Sequence, residues 1–150
     1  MVTYQYTGIQ FDTSHWNPAF GPPPTHMTAT VQVANPFPED PNFAGGWVGS
    51  VASRSLAGVI SASVSDGVRT FTPTVVFLNG YGTEIREWFI GGGLLQDAGS
   101  SSTPEIITAN VTARGQTRVG DLVSYQLSNG SGYVTTSART TTTGQWAVVS

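Results

Sequence analysis

Few residues in this chain are placed to do chemistry. His15 and His26 stand eleven positions apart on either side of Gly21-Pro22-Pro23-Pro24. Two imidazoles make a metal site only when the fold adds further ligands at bonding distance. Their spacing supplies none, so they read as loop histidines. Glu84 and Glu87 lie three positions apart in a strand-like stretch. An odd offset on a strand directs side chains to opposite faces, whereas glycoside hydrolysis needs two converging carboxyls about 5 to 9 Å apart. Beside Arg86 they read as polar strand residues. No Gly-x-Ser-x-Gly, phosphate loop or His-Glu-x-x-His occurs. Cysteine is absent, which removes thiol nucleophiles, disulfides and thiolate metal sites. The expectation is a protein that is not an enzyme.

Two binding chemistries are worth placing on residues. Oxygen ligands for Ca²⁺ are available at Asp40, Asp66, Asp97 and Asp121, with Glu39 and Asn42 beside the first. The Asp-x-Asp-x-Asp-Gly pattern is missing, and loop carboxylates also serve as turn formers, so no bound cofactor is expected. Four tryptophans, Trp16, Trp47, Trp88 and Trp146, accompany Tyr81 and Tyr133 in or beside glycine-rich turns. Rings at loop tips can stack on sugars, and Trp47 and Tyr81 are the surface candidates for a glycan. Trp88 and Trp146 sit in strand patterns and read as core.

The elements that must carry these residues are strands. Met27-Thr28-Ala29-Thr30-Val31-Gln32-Val33 alternates apolar and polar throughout, the period of a half-buried strand. Tyr4/Tyr6, Ile60/Ala62/Val64, Val76/Leu78 and Ile107/Ala109/Val111 continue the theme. Later strands are expected over 121–127, 132–139 and 145–149. Turn signals separate them at Pro36-Phe37-Pro38, Asn79-Gly80, Gly91-Gly92-Gly93 and Asn129-Gly130. The 18 glycines and 9 prolines oppose long helices. We expect an all-β fold, an antiparallel β-sandwich of jelly-roll-like or similar type, as one domain over residues 1–150. Residues 36–46 and 96–103 are expected to be long loops.

The hairpin around Asp66-Gly67 permits a sharper reading. A two-residue type I′ loop would place Ser65 opposite Val68 and Ala62 opposite Phe71. Phe71 then shares a face with Ile60, Ala62 and Val64, and Ser61, Ser63, Thr70 and Thr72 share the other. A one-residue slip would put Phe71 among the serines. The two-residue register, or a four-residue loop keeping that pairing, is expected, and turn formation alone accounts for Asp66.

Composition narrows the partners. Charged residues are 10% of the chain, net charge is −3 and lysine is absent. The six arginines, Arg54, Arg69, Arg86, Arg114, Arg118 and Arg139, are scattered singly. Without a basic stripe, no nucleic-acid partner is expected. No run reaches the length of a membrane span. Met1 leads directly into strand-like Thr3-Tyr4-Gln5-Tyr6, so a signal peptide is not expected within this chain, and a leader or anchor would lie outside it.

Several short stretches together carry a family resemblance. Tyr6-Thr7-Gly8 with Phe11, the strand ending at Asn35-Pro36-Phe37-Pro38, Ser63-Val64-Ser65-Asp66-Gly67-Val68, Glu84 to Ile90, and Thr143-Gly144-Gln145-Trp146 resemble the exported β-domains of PEP-CTERM proteins. The resemblance implies export by polysaccharide-making Gram-negative bacteria, a secreted or cell-surface location, and association with an extracellular matrix. It implies no catalytic residue. The family's Pro-Glu-Pro, membrane helix and basic tail are absent from these 150 residues. The expected function is a non-enzymatic secreted or surface protein whose partners are polysaccharide or other surface proteins. The alternatives are a carbohydrate-binding module and a phage or capsid-like structural subunit.

Overall fold

The computed structural model describes residues 1–34, 59–81, 84–92, 94–95, 102–110, 119–128 and 132–150. Among them run eleven strands. The first four are β1 (Val2–Gln10), β2 (His26–Val33), β3 (Val59–Ser65) and β4 (Thr70–Thr72). Next come β5 (Val75–Tyr81), β6 (Glu84–Gly91), β7 (Leu94–Leu95) and β8 (Ser102–Asn110). The last are β9 (Val119–Ser128), β10 (Tyr133–Arg139) and β11 (Gln145–Val148). A 3₁₀ turn, Pro18–Phe20, is started by Asn17, whose side chain accepts from the Ala19 amide at 2.9 Å. No helix among the described residues is long and apolar enough to cross a membrane.

Sheet A is ordered β11-β1-β2-β3-β4-β7 and sheet B β10-β9-β8-β6-β5. The strand pairs are antiparallel. Both sheets contribute to one apolar cluster, so the expected all-β sandwich is what forms. Tyr4, Tyr6, Met27, Val31, Val64 and Phe71 enter it from sheet A, and Val76, Leu78, Trp88, Ile90, Val123 and Tyr125 from sheet B. Each sheet is largely a meander of consecutive strands, a simpler order than the interleaved strands of a jelly roll. The alternation in β2 works as its sequence demands: Met27, Ala29, Val31 and Val33 are buried, and Thr28, Thr30 and Gln32 face outward.

Three local expectations are corrected. The β3–β4 hairpin pairs Ser65 with Thr70 and Val64 with Phe71, leaving the four residues 66–69 as its loop. Ala62 is therefore not opposite Phe71; its cross-strand partner is Val31. The displacement is two residues, which preserves facing, and Phe71 is fully buried. The cause is the Asp66 side chain: Oδ1 accepts from the amides of Val68 at 2.9 Å and Arg69 at 2.6 Å, closing a wider loop than type I′. Gly67 holds the positive φ of 91° that this loop needs.

Ile60 is the second correction. Gln32 pairs with Ser61 but Val33 pairs with Val59, so Ile60 is the extra residue of a bulge. Ile60 is 55% exposed and Val59, at 9%, takes its place in the core. The third concerns Ser102 and Thr103, expected in a loop, which open β8. The rest of that loop (96–101) and the loop expected over 36–46 lie outside the described residues.

Candidate functional site

Among the described residues, two carboxylates are buried in the sandwich, Asp66 at 0% exposure and Asp121 at 1%. Asp66 closes the β3–β4 hairpin of sheet A. Its Oδ2 accepts from the Tyr125 hydroxyl on β9 at 3.0 Å and from Arg69 Nη1 at 3.2 Å. With the two amides on Oδ1, this makes four donors, about the number of lone-pair positions a carboxylate offers. Arg69 Nη2 donates to the carbonyls of Phe20 at 2.7 Å and Pro22 at 2.9 Å. The guanidinium carbon lies 5.1 Å from the Trp16 ring centroid and 5.0 Å from that of Tyr125. Phe20 and Phe71 also pack on Tyr125. The result fastens the 3₁₀ turn and the proline loop to both sheets. Burial, and then the neighbouring Asp66 charge, push the Tyr125 hydroxyl far above the ordinary tyrosine range.

The second carboxylate reverses the arrangement. Asp121 belongs to β9 of sheet B, and its donor, Tyr6, belongs to β1 of sheet A. The Tyr6 hydroxyl lies 2.8 Å from Oδ1 and 3.0 Å from Oδ2, and accepts from the Gly144 amide at 2.7 Å. Thr140 reinforces the start of β9, its Oγ1 accepting from the Asp121 amide at 2.9 Å. A side chain at Gly8 would collide with Asp121 Oδ2, so glycine is needed where β1 passes the carboxylate. Above Tyr6 pack Trp146 and Trp88, with ring centroids 5.3 and 5.6 Å away. The Trp146 Nε1 is buried without a hydrogen-bond partner.

At the periphery, the exposed Asp12 carboxylate accepts from the Ser14 amide at 2.9 Å, which holds its pKa below the usual carboxylate value. The Asp12 amide donates to the Arg139 carbonyl at 2.9 Å and the Asn17 amide to Thr136 Oγ1 at 2.6 Å. Residues 12–17 thereby border β10 along its outer edge.

The outer face of sheet A has a different character. Thr7, Thr28, Ser65 and Thr70 oppose one another in one row across four strands. Gln5, Thr30 and Ser63 form the next, and Thr3, Gln32 and Ser61 a third. Ser61 Oγ donates to Gln32 Oε1 at 3.0 Å. Apart from Thr3, which is buried with its Oγ1 accepting from Ser150 Oγ, these rows present hydroxyls and amides with no charge, about 4.8 Å apart across strands and about 6.8 Å along them.

The residues picked from sequence fall into three groups. Asp66 and Asp121 are fold-internal hydrogen-bond acceptors. Tyr81 ends β5 on the far side of sheet B from β9, and Trp47, Asp40 and Asp97 lie outside the described residues. The four acidic positions are thus not brought together where they are described. Among the described residues, no group of three or more His, Asp or Glu side chains is placed to hold a metal ion. His15 is exposed and His26 Nδ1 lies 3.2 Å from Thr25 Oγ1. Sequence reasoning missed Tyr6 and Tyr125 as partners of the two aspartates. It did separate the Ser61/Ser63/Thr70/Thr72 face from the core face, which is the signal for the hydroxyl rows. No family model matches this chain, and searches of the curated proteins and of the solved structures also find no match.

Proposed function

We propose that this chain is a non-enzymatic secreted or cell-surface bacterial protein that associates with an extracellular polysaccharide matrix. The observation that carries this reading is the outer face of sheet A, where Thr7, Gln5, Thr28, Thr30, Gln32, Ser61, Ser63 and Ser65 make a broad surface of uncharged donors and acceptors. Each hydroxyl and amide can both give and accept a hydrogen bond, as can each hydroxyl of a neutral glycan. Each such bond is exchanged against water and gains little alone. A surface of this kind therefore works by many weak contacts on an extended polymer, and by many copies, more than by a pocket around one sugar. The PEP-CTERM-like motifs support the same location, and the filled acceptor positions of Asp66 fit a structural role for that acid.

Adsorption to insoluble neutral polysaccharide, compared with titration of soluble oligosaccharides by calorimetry, tests the reading. Retention on the insoluble polymer is expected to survive high salt and to fall when Thr30 and Ser63 are both changed to Glu, with soluble fragments binding at millimolar strength or below detection. The competing carbohydrate-module reading requires one defined oligosaccharide held at micromolar affinity and lost in Trp47→Ala or Tyr81→Ala. That outcome overturns the proposal.

A further inference from the structure

We propose that the outer edge of β11 is a self-association surface, on which a second copy of this chain pairs antiparallel about a two-fold axis. The alternation of hydrogen bonds along β11 carries the argument. The Val149 amide donates to the Thr3 carbonyl at 2.9 Å, so odd-numbered residues of this segment turn their main-chain groups toward β1. In an antiparallel ladder, direction alternates residue by residue. Trp146 and Val148 therefore direct their N–H and C=O groups away from β1, on the edge of sheet A. Those groups suit another strand.

Natural edges are usually guarded by charge, proline, a bulge or a covering loop. On sheet B, β10 is bordered by residues 12–17 through the Asp12 and Asn17 amides. β11 has no such guard in its own sequence: residues 140–150 contain neither a charged residue nor a proline. Two β11 strands related by a two-fold axis thus bring no charged side chains of this segment together. Val148 is 39% exposed beside this edge and Val149 54%.

The same geometry selects the register. Placing Trp146 opposite Val148 of the second copy engages both outward-facing residues of each strand and makes four main-chain hydrogen bonds. Sliding one way would require Gly144, whose amide is already donated to Tyr6. Sliding the other way would require Ser150, whose carbonyl already accepts from Thr3. In the selected register Ala147 faces its own copy across the axis, where a small side chain eases the close approach of a non-hydrogen-bonded pair. Each Val148 then covers part of the second copy's Trp146. Two four-residue strands bury much less than the roughly 1,000 Å² of a stable interface, so the dimer is weak and gains importance where copies are crowded. This pairing does not depend on the polysaccharide reading.

The register is testable because the chain has no cysteine. Ala147→Cys introduces a single exposed thiol at the two-fold axis, and Thr30→Cys one on the same sheet face but two strands inward. Under mild oxidation, Ala147→Cys should form the disulfide dimer at least about tenfold faster than Thr30→Cys, because pairing raises the local thiol concentration. Sedimentation of the unaltered chain from micromolar to millimolar concentration should show reversible dimerisation. Val148→Lys should abolish it while keeping its far-ultraviolet circular dichroism and unfolding midpoint. A chain that stays monomeric to millimolar concentration, equal crosslinking of the two thiols, or oligomers that survive Val148→Lys would each overturn the proposal.

Discussion

The Tyr125 hydroxyl lies 3.0 Å from the Asp66 carboxylate, joining sheet B to the hairpin of sheet A. Tyr6 and Asp121 join the same two sheets in the opposite sense. Removing the hydroxyl in Tyr125→Phe leaves Asp66 Oδ2 with Arg69 alone in a buried setting. A loss of about 1 to 3 kcal/mol is expected, read as a lower denaturant midpoint with an unchanged slope. Asp66→Ala should cost more, about 3 to 5 kcal/mol, since it also removes the acceptor of Arg69 Nη1 and of two loop amides.

Alkaline stability should report on the same residue. Tyr125 is shifted upward in the folded state, mainly by burial and then by the Asp66 charge. The folded protein therefore holds that proton more tightly than the unfolded chain, whose tyrosines titrate at about 10. The stabilisation is complete below that pH and is lost as pH rises toward the folded-state value. Unfolding midpoints measured from neutral to strongly alkaline pH should fall beyond about pH 10, with a shallower fall in Tyr125→Phe. An identical slope in that variant would remove Tyr125 as the cause.

Glycine substitutions should separate by what a new Cβ meets. At Gly144 it would strike the Thr7 carbonyl, a backbone atom with little freedom to move. At Gly132 nothing lies within 4 Å. Gly144→Ala is expected to cost more than about 2 kcal/mol, and Gly132→Ala less than about 1 kcal/mol. Gly67→Val joins the costly class, because φ is 91° and the added carbon would meet Thr25 Oγ1. Strain there is worth about 1 to 3 kcal/mol. Chemical unfolding of the three variants gives the order directly.

Chelation should leave stability unchanged. Asp66 already accepts from two amides, one guanidinium and one phenol. Thermal unfolding with and without EDTA is expected to coincide. A drop of several degrees that Ca²⁺ restores would return the acidic positions to consideration as ligands.

What the sequence made legible was facing, and what it hid was partnership. Phe71 was placed on the core side because alternation has a period of two, and the two-residue shift of its partner left that untouched. The shift itself came from the Asp66 side chain competing with the backbone to close the loop, a local choice for which Asp-Gly provides two solutions. Ile60 misled because a bulge inverts the alternation without marking the sequence. Tyr125 lies 59 positions from Asp66, and Tyr6 lies 115 from Asp121. Periodicity reports which way a side chain points, not which distant side chain waits there. The hydroxyl rows were visible as faces, while their extension across strands required the register.

The seating of β1 between β2 and β11 also imposes an order in time. Tyr4 meets Val31 on one side and Val148 on the other. The first partner is available soon after β1 is synthesised, but the second arrives only when the end of this segment emerges. Until then the edge of β1 stays open and the Gly144 amide is not there to meet the Tyr6 hydroxyl. Closure by such distant contacts is slow, on the order of milliseconds to seconds for sandwiches rich in non-local pairing. The last step in completing sheet A thus belongs to β11, which follows its other strands in the chain, and a nascent chain halted before Gln145 would expose the edge of the strand that the folded sheet keeps between two neighbours.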